Sequence, residues 1–72
     1  HPADAIPVYA AEVDTAIDRK DKTGYTEAAR LLLILQGLHD RAGTDFRAYL
    51  DALTHTHRRK TTLLAILTRS GL

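Results

Sequence analysis

The chain has 72 residues, room for one domain, and a net charge of +1, which gives no global pull towards nucleic acid. It has no cysteine, which excludes a disulfide scaffold and thiolate zinc sites. Its longest large-apolar run, Leu31 to Leu35, is far shorter than the ~20 residues that span a bilayer, so no membrane partner is expected.

The chain opens at His1-Pro2, without Met and without a secretory signal, so the expectation is a piece of a longer cytoplasmic protein. His1 to Ile6 read as a frayed lead-in. Pro7 suits a helix's first turn, where its missing N–H is not needed. Ile6, Tyr9, Ala10, Val13, Ala16, Ile17 and Lys20 then fall at spacings of three and four, predicting an amphipathic helix over about 7–20. Glu12, Asp14 and Asp18 belong to its wet side. The run Asp21-Lys22-Thr23-Gly24 reads as the following loop.

The second helix is predicted over about 24–42, with Thr23 or Thr26 as its N-cap. Glu27 and Arg30 can pair at i, i+3. Tyr25, Ala28, Ala29, Leu32 and Leu35 form one apolar stripe; Leu31, Ile34, Leu35 and Leu38 form an adjoining one. A helix apolar on so much of its circumference must be covered on most sides, so both flanking helices are expected to pack on it. Gly37 marks either a close crossing or a tolerated defect. Gly43 reads as the left-handed residue that ends the helix.

Thr44 is the expected N-cap of the third helix, with Asp45 just inside. Phe46, Tyr49, Leu50, Leu53, His57, Lys60, Leu64 and Leu67 keep helical spacing, and no Gly or Pro occurs from Asp45 to Ser70. This predicts one long helix over about 45–69, ended by Gly71. The alternative is a break in the polar stretch Thr54 to Thr62. The fold class is therefore all-α: a small three-helix bundle with a long C-terminal helix.

Chemistry-bearing patterns are few. His55 and His57 stand at i, i+2, roughly 200° apart on a helix, so they cannot share a metal. Asp14 and Asp18 are i, i+4 on a wet face, not an acid–base pair in a cleft. No glycine-rich phosphate loop and no nucleophile elbow occurs. No catalytic residue, metal ligand or cofactor is expected, and the chain is not read as an enzyme. The basic stretch is the strongest local feature: Arg58, Arg59 and Lys60, with His55 and Arg69, are candidate contacts to phosphate or an acidic partner. The competing reading is a solvated face with stems over the core. Leu33 lies about 100° from Leu32 around the helix and is the member of the apolar run expected nearest water. Together with Ile34 it is the candidate docking surface.

One larger pattern is familiar. The order Ile17…Lys20, Tyr25-x-x-Ala28-x-x-Leu31-Leu32, then Leu35, Leu38 and Gly43, then Phe46-x-x-Tyr49-Leu50, Leu53, His57-Arg58-Arg59-Lys60 and Leu64, resembles the helical C-terminal region of bacterial SWIM zinc-finger proteins. The resemblance covers roughly Val13 to Leu72. It implies a helical appendage similar to tetratricopeptide-type hairpins, in a larger protein that contacts nucleic acid or other proteins. The Cys-x-Cys…Cys-x-His zinc finger of that family has no counterpart here, so no metal site carries over. Leu33 and Ile34 also depart from it, standing apolar where the family is usually polar.

The functional expectation is a non-catalytic interaction module that docks onto another domain or chain, with self-association as one form. The alternative is an accessory nucleic-acid surface using His55 to Lys60.

Overall fold

The computed structural model describes residues 1–72. It contains four helices: α1 (Pro2–Asp18), α2 (Lys22–Ala42), α3 (Phe46–Thr56) and α4 (Thr61–Arg69). The all-α class holds, but the long third helix is divided in two.

Helix α1 begins earlier than its pattern predicts. Pro2 opens it, and residues 2–6 are helical rather than frayed. Pro7 therefore sits inside α1, where it forgoes the bond that its N–H would give to the Ala3 carbonyl. Val13, Ala16 and Ile17 are buried, with Ile6 and Tyr9 packed against the core from its edge. The helix stops two residues short of Lys20. Arg19 caps it, and Lys20 takes the left-handed conformation at φ 57° with its N–H on the Ile17 carbonyl at 3.0 Å. That turn lets a three-residue connection send α2 back along α1.

The N-cap of α2 is Asp21, whose Oδ1 accepts from the Gly24 N–H at 2.6 Å. Neither Thr23 nor Thr26 caps it; the Thr26 hydroxyl donates to the Lys22 carbonyl instead. Gly24 belongs to the helix, not to the loop, and α1 crosses there. A Cβ at Gly24 would collide with the Ala16 carbonyl oxygen and lie 2.8 Å from Arg19 Cβ. No such contact exists at Gly37, where the space beyond is open.

Helix α2 is the axis of the core. Tyr25, Ala28, Ala29, Leu31, Leu32, Leu35 and His39 are buried along it. Its most extensive interface is with α1, followed by α4 and then α3. Gly43 ends it at φ 73°, as its position after the stripe predicts.

The cap of α3 is Asp45 rather than Thr44; its carboxylate accepts from the Ala48 N–H at 3.1 Å. Phe46, Leu50 and Leu53 are buried. The helix then ends at Thr56, and His57 to Lys60 form a turn. The break has a physical cause. The polar stretch around the turn offers no large apolar side chain to hold a helix against the bundle. Breaking it folds α4 onto α2, where Leu63, Ile66 and Leu67 are buried. The turn shifts the register, so Leu63 rather than Leu64 is fully enclosed. Gly71, at φ 89°, follows the end of α4 and turns Leu72 back onto Leu67.

Candidate functional site

Two surfaces follow from this fold. The first is the outer face of α2. Leu32 and Leu35 are wholly enclosed, whereas Leu33 is 43 % exposed and Ile34 half-buried. The one large apolar side chain more exposed is Val8 on α1, at 60 %. Leu33 is thus the outward member of the apolar run, as its angle around the helix predicts.

The second surface is the end of the bundle where the α1–α2 loop meets the α3–α4 turn. Arg59 and Lys60 line an open cleft there, of ≈ 460 Å³. Lys20 and Lys22, from the α1–α2 connection and the start of α2, line it as well, and Asp21 is its sole acid. The sequence pattern singled out Arg59 and Lys60 as a charge run. Lys20 and Lys22 escaped notice, because only the fold brings the two connections together. A signal was available in their placement: Lys20 lies within the three-residue helix connection and Lys22 directly follows it, and such a connection must lie at one end of the bundle.

The other members of the basic set do not join them. Arg58 is exposed, and its guanidinium donates to the His55 carbonyl at 3.0 Å. His55 is exposed in the last turn of α3. Arg69 lies in the last turn of α4, about 12 Å along the helix from the turn. His57 is half-buried at the end of α3, with its N–H on the Leu53 carbonyl at 3.0 Å.

The enclosed histidine is His39. Its ring stacks on Tyr49 at 5.8 Å and tilts against Phe46 at 5.7 Å. Its Nδ1 lies 2.7 Å from the Thr44 hydroxyl, and its buried Nε2 has no partner. Periodicity missed this because His39 stands at the end of α2, where the C-terminal turn and α3 fold over it. No group of three or more His, Cys, Asp or Glu side chains is arranged to hold a metal.

The electrostatics elsewhere are local. Glu27 and Arg30 form the i, i+3 pair that their spacing predicts, with Arg30 Nε donating at 3.0 Å. That hydrogen bond holds the Glu27 carboxyl below its ordinary range and the Arg30 guanidinium above its own. Burial, and then the charge of Asp14, push the Tyr49 hydroxyl up. No helix is long and apolar enough to cross a membrane.

Comparison with protein-family models, with characterised proteins and with solved structures gives no match.

Proposed function

We propose that the chain is a non-catalytic helical docking module of a larger protein, which seats another domain or chain on the outer face of α2. The observation that carries this reading is Leu33. It stands 43 % exposed beside Leu32, which is wholly enclosed in the core. One exposed leucine is ordinary on a protein surface. Here, however, Leu33 adjoins half-buried Ile34 on the same helix, so the two offer neighbouring apolar surface. A partner that covers them gains apolar burial at roughly 25 cal/mol per Å². The resemblance to the helical region of SWIM zinc-finger proteins supports the same reading, since it implies an appendage whose partners lie outside it.

Hydroxyl-radical footprinting tests the proposal. Leu33 should be labelled when the chain stands alone and protected when it forms part of its full-length gene product. Leu35 should be protected in both. Equal labelling of Leu33 in the two states would reject the docking face.

A further inference from the structure

The loop-end cleft carries two unusual features in one place. First, its four cations have no carboxylate partner. The ion pairs of the molecule join Arg19 to Asp21, Arg30 to Glu27 and Arg47 to Asp51, and none involves Lys20, Lys22, Arg59 or Lys60. Asp21 is already committed, since it caps α2 through the Gly24 N–H and lies 4.0 Å from Arg19 Nε. Four cations from two separate connections thus share the cleft with one carboxylate, that of Asp21, which leaves a local excess of positive charge. Second, Lys20 occupies a left-handed backbone conformation, at φ 57°. A side chain there costs stability that glycine would not. This left-handed stop after the α1 C-cap is a position glycine ordinarily fills, and here a lysine that lines the cleft holds it.

The geometry points to a binding site for a compact, multiply charged phosphate, such as a phosphomonoester or pyrophosphate, held between the α1–α2 loop and the α3–α4 turn. Bound phosphate neutralises the cluster and gives the Lys20 ammonium a use that glycine lacks. Thr61 and Thr62 line the same cleft, are exposed, and carry hydroxyls able to donate to phosphate oxygens. A compact anion fits better than a nucleic-acid strand. The cations converge on one concavity, and Arg69 stands well away from it. The aromatic side chain in the cleft, Tyr25, is only 9 % exposed, so it offers no face on which a base could stack. The site is separate from the Leu33 face and does not depend on the docking proposal.

The test is an NMR titration of the isotope-labelled chain at low salt, with sodium pyrophosphate in one arm and O-phosphoserine in the other. Saturable shifts are expected at the amides of Lys20 to Lys22 and Arg59 to Thr62, with Arg47 and Arg69 unmoved. Comparing the arms shows whether the site prefers a free polyphosphate or a phosphate ester. Lys20→Gly separates binding from folding. It should melt higher than the parent yet bind pyrophosphate about fivefold more weakly, the weight of one cation at contact distance in water. Arg59→Gln should weaken binding similarly, whereas Leu33→Lys should leave it unchanged. Absence of saturation at millimolar pyrophosphate, or unchanged affinity in both cleft variants, would overturn the site. So would tighter binding of a short single-stranded oligonucleotide with shifts reaching Arg69, because the ligand would then be an extended strand.

Discussion

Gly24 and Gly37 lie on the same helix with opposite surroundings. At Gly24 a methyl group has nowhere to go, because the backbone of α1 crosses there and a carbonyl oxygen cannot swing aside. Gly24→Ala should cost about 1–3 kcal/mol through forced separation of α1 and α2. At Gly37 nothing stands in the way, so Gly37→Ala should gain up to about 1 kcal/mol in helix propensity. Each kcal/mol moves the melting temperature of a domain this size by about 4–8 °C, so two thermal melts decide the matter. Equal melting temperatures would place the crossing elsewhere. The sequence marks neither role. A lone glycine in a helical pattern signals that a side chain is missing, but not which backbone approaches it. Gly43 and Gly71 were legible because each follows the end of an apolar stripe, where a left-handed stop is needed. The caps slipped for a related reason: Asp21 and Asp45 each compete with a nearby threonine, and a shift of one or two residues in the loop decides between them.

The elements that the sequence describes best are those with an unbroken apolar face. α2 was legible nearly to its ends, because five large apolar residues in a row leave no alternative to a central position. The segment after Gly43 was not, because helical spacing can run through a polar stretch by coincidence while nothing in that stretch holds a helix down. The register beyond the break is the measurable consequence. Leu63 is fully enclosed and Leu64 only half-buried. Leu63→Ala should therefore cost about 2–5 kcal/mol, and Leu64→Ala clearly less. A larger loss at Leu64 would restore the continuous helix. The docking of α3 has its own signature in pH. The Tyr49 hydroxyl is raised above its ordinary value of about 10 by burial first and then by Asp14 on α1. The folded state therefore holds this proton more tightly than the unfolded chain. The stabilisation is fully present below about pH 10 and is lost as pH rises through the folded value. Denaturant midpoints should fall in that alkaline window, and Tyr49→Phe should flatten the fall. An identical alkaline profile in the variant would mean that Tyr49 does not report on the packing.

At the scale of the whole molecule, a 72-residue chain has few side chains to spend, and α2 divides them between inside and outside. Leu32 and Leu35 are wholly enclosed at the centre. Removing either side chain to Ala should cost about 2–5 kcal/mol, a large share of the 5–15 kcal/mol that holds a typical domain together. The basic cleft lay outside sequence reasoning because its two halves are far apart along the chain and belong to connections rather than to periodic elements. The exposed leucine, by contrast, was readable from angle alone. It should behave unlike its neighbours: Leu33→Lys should shift the melt by no more than about 0.5 kcal/mol in stability. Light scattering over a concentration series then distinguishes the forms of docking. If the parent chain pairs with itself through α2, its mean mass should rise with concentration and Leu33→Lys should abolish the rise. A parent that stays monomeric throughout excludes the self-paired form and leaves a different chain or domain as the partner. If Leu33→Lys instead unfolds the protein, Leu33 is a core residue, and the docking face is lost in either form.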